Sequence, residues 1–215
     1  MVDIHIFYHS CVILTILLSS QTVIEMELRI LNEHELINLY TTDCRRDFPE
    51  SELKPLDVVE KLYREGNYEP IGFFENGTLI AYALQVIREN GKSVLLDYLA
   101  VTPEYRNRGV GSAVLTALRK YYSSQYEYIV IESEHPAEAP DKIAALRRLD
   151  FYKRAGGILT DTQVRLFDIL FLIFALPCSE NLSAAPFEEL EKIYRVTVPP
   201  ELYDEVVDIF SAEYK

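Results

Sequence analysis

The sequence has few cysteines and no cluster of metal ligands. Cys11, Cys44 and Cys178 lie far apart, and the four histidines are scattered along the chain. Without a Cys-x-x-Cys pair or a Cys/His cluster, the spacing predicts no metal site. Isolated thiols are typical of a reducing compartment, so we expect a cytoplasmic protein.

Positive charge is also scarce. The chain has 34 acidic and 21 basic residues and a formal net charge of −13. Binding to nucleic acid without sequence preference depends on Lys and Arg side chains that neutralise phosphates. The composition therefore argues against a nucleic-acid partner and fits a cationic or amine-bearing small substrate better.

No apolar run is long enough to cross a bilayer as a helix. The run Val12 to Leu18 is strongly apolar but far shorter than the roughly 20 residues that a membrane span requires. A secretory signal is disfavoured because residues 1–10 contain no Lys or Arg. We hypothesise instead that Met26 is the natural start and that residues 1–25 form an extension or loosely packed tail, with no membrane partner.

The spacing of apolar residues predicts one mixed α/β domain. The predicted order is β-α-α-β-β-β-α-β-α-β-β followed by a helical tail. Asn76-Gly77 and Asn90-Gly91, each between apolar runs, predict tight turns and hence an antiparallel meander. Asn32 is a candidate cap for a first helix, whose N-terminus Glu33 and Glu35 favour. Further helices are predicted over 55–65, 109–122, 139–154, 186–195 and 200–210. Gly156-Gly157 is expected to end the helix over 139–154, and the helix over 109–122 is expected to bury Val110, Val114, Leu115 and Leu118.

The same spacing predicts which helix faces are buried. In the helix over 139–154, Ile143, Leu146 and Leu149 recur at the core spacing. In the tail, Glu188 and Glu189 are expected on a solvated helix face.

The most informative segment follows the strand predicted over 94–101. Its residues are Arg106, Asn107, Arg108, Gly109, Val110, Gly111 and Ser112. Glycine lets backbone N–H groups approach a ligand, and a helix start adds unsatisfied donors and partial positive charge. Together these features favour a site for a pyrophosphate. A third Gly at the dinucleotide-binding spacing and a Gly-Lys-Ser/Thr sequence are both lacking, which excludes those two nucleotide motifs.

This segment resembles the pyrophosphate motif of the GNAT superfamily of acetyl-CoA-dependent N-acetyltransferases. Arg106-x-x-Gly109-x-Gly111 matches its Gln/Arg-x-x-Gly-x-Gly/Ala pattern, and Phe151-Tyr152-Lys153-Arg154-Ala155-Gly156 resembles its Phe-Tyr-x-x-x-Gly segment. The resemblance covers about residues 26–176. It leaves residues 1–25 and a C-terminal helical tail, 177–215, outside, the tail being expected to pack on the same domain.

The resemblance implies a GNAT-like mixed sheet flanked by helices. The strands over 94–101 and 127–133 would be parallel neighbours that splay apart around the pantetheine arm of acetyl-CoA. Backbone groups of Leu99, Ala100 and Val101 would bind the pantetheine and polarise the acetyl carbonyl. Residues 106–112 would hold the pyrophosphate, although Arg108 is equally compatible with a solvated surface position.

Tyr152 aligns with the family's tyrosine near the sulfur of CoA. The resemblance therefore implies that Tyr152 is the general acid that protonates the departing thiolate. The alternative is a packed aromatic residue whose hydroxyl is hydrogen-bonded to a neighbour.

The general base is less determined by the sequence. Glu132 and Glu134 share one side of a strand because side chains alternate with a period of two. Either is a candidate to accept the proton that the amine must lose before attack. Asp97 and Tyr98 are further candidates, and His135 is a weaker one. The alternative for Glu132 is a structural ion pair with Arg147 or Arg148.

The resemblance thus implies an enzyme that transfers acetyl from acetyl-CoA to a primary amine by direct attack. The alternative is an acyl-CoA-binding sensor that has lost turnover. The partners would be acetyl-CoA and an amine acceptor that the sequence does not identify. The apolar stretch 164–176 and the tail offer a surface for a homodimer.

Overall fold

The computed structural model describes residues 2–7, 11–18, 22–180, 186–212 and 214, with side chains over 25–180, 188–212 and 214. The chain forms two compact units, Met1–Gln85 with Asp97–Leu118, and Val86–Leu96 with Arg119–Lys215. The boundary passes within two strands and one helix. This explains why no linker marks it in the sequence.

The first unit is built on strands in the order β1-β2-β3-β4-β5-β6. These strands are β1 (Val2–Phe7), β2 (Cys11–Leu18), β3 (Thr22–Ile30), β4 (Tyr68–Glu75), β5 (Thr78–Val86) and β6 (Ser93–Val101). Its helices are α1 (Glu33–Leu39), α2 (Arg45–Asp47), α3 (Leu56–Arg64) and the start of α4 (Val110–Tyr122), with a π-helical turn over Tyr40–Cys44.

The N-terminal strands were not expected. β2 pairs antiparallel with β3 from Cys11↔Arg29 to Leu18↔Thr22, and β1 pairs with β2. β3 also begins at Thr22, before Met26. These strands were not predicted because residues 1–25 contain no Asn-Gly pair like those that mark the later hairpins. The start at Met26 stays a prediction.

The meander and the first helix form where the sequence predicts them. Asn76 (φ 50°) and Gly77 (φ 78°) both adopt the left-handed conformation that a two-residue hairpin turn requires. α1 is capped by Asn32, whose side chain accepts from the N–H of Glu35 at 3.0 Å while the Glu35 carboxylate accepts from the N–H of Asn32 at 2.9 Å. These local rules fix the entry into α1 and the register of the meander.

The second unit has the strand order β6-β7-β9-β8-β10. Its elements besides β6 are β7 (Tyr128–Glu134), α5 (Lys142–Arg154), β8 (Ile158–Leu166), β9 (Ile169–Pro177), α6 (Pro186–Thr197), α7 (Pro200–Val206) and β10 (Val207–Ser211). β6 and β7 are parallel, and β7 pairs antiparallel with β9. The predicted mixed sheet with flanking helices is therefore confirmed.

Two expectations about the second unit are wrong. The tail is not helical to its end, because α7 stops at Val206 and β10 then pairs antiparallel with β8. In α5 the residues facing the core are Ala145 and Leu149, whereas Ile143 and Leu146 are 63% and 40% exposed. The period of a single helix predicts an apolar stripe but not which parts of it neighbouring elements cover, and these two side chains stay largely or partly exposed.

Glu189, which was expected on a solvated helix face, is buried. Its side chain is 2% exposed and accepts hydrogen bonds from Arg88 at 2.6 Å, from the Lys92 N–H at 3.0 Å and from Lys192 at 3.0 Å. This carboxylate joins α6 to the turn between β5 and β6 within the second unit. Burial disfavours its charged form, but the hydrogen bonds from Lys192 and the Lys92 N–H, with the charge of Arg88, outweigh that effect and lower the pKa of Glu189.

We expect Glu189→Ala to lower the free energy of unfolding by about 3 kcal/mol, because it leaves the largely buried Arg88 guanidinium without its carboxylate. Glu188→Ala, at an exposed position on the same helix, should cost less than about 0.5 kcal/mol. Since the folded pKa of Glu189 is depressed, its contribution is present above the unfolded value of about 4.3 and is lost as pH falls through the folded pKa. Urea unfolding at pH 7 and at pH 3 would test this, and an equal effect of both variants at pH 7 would contradict it.

Candidate active site

The segment Arg106–Ser112, called the phosphate loop below, lies in the first unit, after β6, and includes the first turn of α4. A short 3-10 turn over Pro103–Tyr105 precedes it. The N–H of Thr102 donates to the carbonyl of Ile80 at 2.9 Å, which ties the start of the turn to β5. The chain therefore enters the loop from a fixed strand end.

Two left-handed residues shape the phosphate loop. Asn107 has φ 61° and Gly109 has φ 82°, and α4 opens with the Ala113 N–H donating to the Gly109 carbonyl at 3.1 Å. The N–H groups of Val110, Gly111 and Ser112 come before the first intrahelical bonds and have no acceptor within the helix. Such a turn before a helix start forms a concave set of donors suited to an anion.

α4 is held firmly behind the loop. Val110 is 4% exposed, and Val114, Leu115 and Leu118 are fully buried, as the sequence predicted. The Ser112 carbonyl accepts from the Thr116 hydroxyl at 2.9 Å. The donors at the helix start are thus carried by a rigid element.

Arg106 braces the start of the loop. Its Nε donates to the Val101 carbonyl at 2.9 Å, and its Nη2 donates to the Asp47 carboxylate at 2.7 Å. The Asp47 side chain is 2% exposed and also accepts from the Tyr82 hydroxyl at 3.0 Å. The sequence did not predict Asp47, since 59 positions separate it from Arg106. Whether Arg106 also contacts phosphate stays a prediction.

Arg108 lies on the exposed side of the loop. Its guanidinium is 5.4 Å from the ring centroid of Tyr105, and no described carboxylate lies within ion-pair distance of it. It lines an open pocket of about 560 Å³ within the first unit, together with Arg46, Asp43 and Glu104. Arg108 therefore remains available to a ligand as well as to solvent.

The predicted pantetheine strand is β6. Its parallel ladder with β7 runs from Ser93↔Tyr128 to Leu96↔Ile131. Leu99, Ala100 and Val101 lie beyond the last printed pair on the same strand, and the Val101 carbonyl accepts from Arg106. The structure thus places these three residues at the end of β6 that leads directly into the phosphate loop.

Asp97 and Tyr98, the further candidates on β6, are both engaged with the segment before α3. The Asp97 carboxylate accepts from Lys54 Nζ at 2.5 Å and from the Tyr68 hydroxyl at 2.7 Å. The Tyr98 hydroxyl donates to the Glu52 carbonyl at 2.9 Å. Sequence analysis missed Lys54 and Tyr68, because neither lies in a motif and both are far from Asp97 in the chain.

Tyr152 lies near the C-terminal end of α5, in the second unit. Gly156 (φ 92°) and Gly157 end the helix with two return bonds, Gly156 N–H to the Lys153 carbonyl at 3.1 Å and Gly157 N–H to the Tyr152 carbonyl at 2.9 Å. This Schellman motif fixes the backbone of Tyr152. A Cβ at Gly157 would lie 2.9 Å from the Tyr152 carbonyl oxygen, so only glycine fits there.

The Tyr152 side chain has an apolar environment. Its ring centroid lies 5.2 Å from that of Phe151 and 5.8 Å from that of Phe174. Burial raises the pKa of Tyr152 to about 12, against a smaller lowering effect of Arg148. Among the described residues, none forms a hydrogen bond with the Tyr152 hydroxyl at the distances that define one. The hydroxyl is therefore protonated at neutral pH and, within the described part of the chain, makes no hydrogen bond of the kind considered above.

The two candidate bases have different partners. Glu134 forms an ion pair with Arg148, and Glu132 accepts a hydrogen bond from the hydroxyl of Tyr194 on α6. Arg148, one of the two partners considered for Glu132, is thus paired with Glu134. Tyr194 lies 62 positions from Glu132. Its contact depends on how α6 packs, which no local pattern in the sequence determines.

His135, Cys44 and Cys178 are further side chains that could take part in chemistry, and each is either hydrogen-bonded or poorly ionised. His135 accepts the Ala137 N–H on Nδ1 at 3.1 Å, and its ring packs edge-on against Tyr214. Burial raises the pKa of the Cys44 and Cys178 thiols to about 12. Neither of these two thiols is ionised at neutral pH, so neither is an activated nucleophile.

The described residues offer neither a cluster of metal ligands nor a helix that could span a membrane. In that part of the chain, no group of three or more His, Cys, Asp or Glu side chains is placed to hold a metal ion. No helix among those same residues is both long and apolar enough to cross a membrane.

Comparison with known proteins relates the phosphate loop and the elements around it to a protein family and a fold. A model of the acetyltransferase (GNAT) family matches residues 33–156. A protein described as a GNAT-family acetyltransferase from Bacteroides thetaiotaomicron superposes with a TM-score of 0.60 and 22% identity, over 78% of this chain and 95% of that one. Spermidine N-acetyltransferase from Vibrio cholerae, in a dodecameric structure, gives a TM-score of 0.53 and 12% identity, over 71% and 94% of the two chains. The sequence matched no curated protein. At these identities the structural likeness shows a shared fold.

Proposed function

The chain belongs to the GNAT acetyltransferase family, and we propose that it transfers the acetyl group of acetyl-CoA to a primary amine by direct attack. The acyl group would pass from the thioester sulfur to the amine nitrogen without a covalent enzyme intermediate. The high pKa of the Cys44 and Cys178 thiols supports this route, because it disfavours either of them as an acyl carrier.

The observation that carries the proposal is the conformation of the phosphate loop. Left-handed Asn107 and Gly109 precede an anchored helix whose first N–H groups lack helical acceptors. A pyrophosphate carries negative charge along its oxygens and is stabilised by such donors and by the helix dipole. Acetyl-CoA supplies a thioester-activated acetyl group when bound. In this proposal Arg108 adds charge near the phosphates, and Arg106 holds the loop in place.

Backbone groups at the end of β6 would orient the acyl donor. Leu99, Ala100 and Val101 continue β6 beyond its last pair with β7. Main-chain groups placed where charge develops on the acetyl oxygen stabilise the tetrahedral intermediate.

Proton transfer would be divided between two kinds of group. An alkylamine is mostly protonated at neutral pH, so Glu132 or Glu134, directly or through water, would accept its proton before attack. When the carbon–sulfur bond breaks, the Tyr152 hydroxyl would give its proton to the thiolate. The partners of Glu132 and Glu134, Tyr194 and Arg148, would hold each carboxylate ionised and oriented.

A titration of the full chain with acetyl-CoA, followed by a turnover assay, tests this function. We expect a Kd in the micromolar range by calorimetry, and release of free CoA thiol that depends on an added primary amine such as spermidine, cadaverine or a lysine peptide. A folded protein that does not bind acetyl-CoA would contradict the proposal. A cytoplasmic location and a homodimer through residues 164–176 and the tail stay predictions.

A further inference from the structure

The ammonium group of Lys54 lies in a small site made by three other residues of the first unit. Its Nζ is 2.5 Å from the Asp97 carboxylate and 5.5 Å from the ring centroid of Tyr98. The Tyr68 hydroxyl donates to the other Asp97 oxygen at 2.7 Å. A carboxylate beside an aromatic face is a combination that binds a primary ammonium group well.

The burial of Asp97 means that this site requires a cation. The Asp97 side chain is 4% exposed, whereas that of Lys54 is 26% exposed. A carboxylate so far removed from water is costly without a positive partner. Replacing one alkylammonium group by another preserves the pairing, so an incoming amine avoids the cost of leaving Asp97 alone.

The backbone around Lys54 is fixed independently of its ammonium group. The Lys54 N–H donates to the Tyr98 hydroxyl at 3.0 Å, and the Lys54 carbonyl accepts from the Tyr40 hydroxyl at 2.8 Å. Only the four-carbon side chain must therefore change rotamer for Nζ to leave, and its partial exposure gives it a route into solvent. The segment before α3 keeps its place when the site is vacated.

The position of Asp97 on β6 relates it to the proposed chemistry. Leu96 makes the last pair of the parallel ladder, Asp97 follows it, and Leu99 begins the stretch proposed to orient the acyl group. An ammonium group on Asp97 is thus bound by the strand that carries the proposed acyl-binding backbone.

We propose that Asp97, Tyr98 and Tyr68 form the recognition site for a primary alkylammonium group of the acceptor, and that Lys54 occupies this site until the acceptor displaces it. The substrate class is then an unbranched alkylamine that carries, besides the ammonium group bound by Asp97, a second primary amine to be acetylated, because an ammonium group paired with a carboxylate is not a nucleophile. Lys54 acts as an internal competitor that raises the concentration of acceptor needed. The role in acceptor binding rests on the proposed function, but the exchange of ammonium groups is measurable without turnover.

The first experiment measures binding of n-butylammonium chloride by calorimetry, with the protein saturated with CoA and with ionic strength held constant by sodium chloride. We expect Lys54→Met to lower the Kd for n-butylammonium at least ten-fold relative to wild type. The double variant Lys54→Met, Asp97→Asn should lose this gain. Lys61→Met is the matched control, because Lys61 is 72% exposed on α3 and lies 3.9 Å from its partner Glu65. It should bind as wild type does.

A purely structural ion pair between Lys54 and Asp97 predicts no gain in n-butylammonium affinity when the Lys54 ammonium group is removed. If Lys54 only holds the segment in place, folded Lys54→Met protein binds n-butylammonium no more tightly than wild type, and the proposal is overturned.

A measurement on the wild-type chain covers the case in which Lys54→Met fails to fold. Lysines are reductively methylated with a ¹³C label, and the Lys54 signal, assigned with the variant Lys54→Arg, is followed by NMR. Added n-butylammonium should move this signal towards that of an exposed lysine, while equal sodium chloride should not. No selective shift would overturn the proposal. Calorimetry with acetyl-CoA on the same samples shows separately whether the proposed function fails.

Discussion

Gly109→Glu is expected to weaken acetyl-CoA binding at least 100-fold, about 2.8 kcal/mol. Gly109 has φ 82°, a conformation that costs an L-residue about 1 kcal/mol or more. The new carboxylate would also lie at the anion-binding end of α4, where it repels the pyrophosphate. Calorimetric titration of the folded full-length variant with acetyl-CoA measures the effect.

Gly66→Glu is the matched control for this change. Gly66 has φ 75° at the end of α3, is exposed, and a Cβ there meets no atom within 4 Å. The variant therefore introduces the same charge and a similar backbone strain away from the phosphate loop. We expect it to bind acetyl-CoA as wild type does. If both variants lose binding equally, the loss reflects general destabilisation and the loop assignment is contradicted.

Tyr152→Phe is expected to lower kcat about 100-fold, within the range usual for a general acid, and to leave the Kd for acetyl-CoA unchanged. The substitution keeps the ring between Phe151 and Phe174 and removes a hydroxyl for which no described residue provides a hydrogen bond. Little stability should therefore be lost. Steady-state turnover and acetyl-CoA titration on one preparation separate the two quantities.

Tyr203→Phe serves as control, because Tyr203 is a largely buried tyrosine of α7 whose ring lies under the Arg195 guanidinium. It should leave kcat unchanged. Full activity of Tyr152→Phe would remove Tyr152 from the mechanism. Acetyl-CoA binding by wild type without turnover of any amine would favour the acyl-CoA sensor.

The pH dependence gives a further check on Tyr152. Burial raises its pKa to about 12, so its protonated, acid-competent form persists across the neutral and moderately alkaline range. We expect no loss of kcat attributable to Tyr152 below about pH 11, the ordinary tyrosine value being about 10. A fall in kcat centred near pH 9 that disappears in Tyr152→Phe would contradict this.

Features predicted correctly from the sequence depend on near neighbours in the chain. Asn32 and Glu35 cap α1 three residues apart, Asn76 and Gly77 make a two-residue turn, and the Gly156-Gly157 pair ends α5. Each is decided by backbone conformation and hydrogen bonds within one turn, so the sequence contains the whole cause.

Two of the wrong predictions concern burial on helices whose neighbours come from elsewhere in the chain. Ile143 and Leu146 have the spacing of core residues yet are exposed, whereas Glu189 is charged yet buried. Glu189 is buried because Arg88, about 100 residues earlier, supplies the opposite charge. The sequence of α6 by itself therefore does not predict that Glu189 is buried.

The sequence alone determined the order of the main elements from β3 to β9, the meander, the turn that leads into α4 and the position of Tyr152 near the end of a helix, because these follow from local conformational preferences and short motifs. Only the tertiary structure decided which partner each charged group takes: Asp47 for Arg106, Lys54 for Asp97, Tyr194 for Glu132 and Arg148 for Glu134. Ionic and hydrogen-bond partners are chosen by distance in space. A buried charge accepts whichever complementary group packing brings to it, and packing joins residues that lie 14 to 62 positions apart in these pairs.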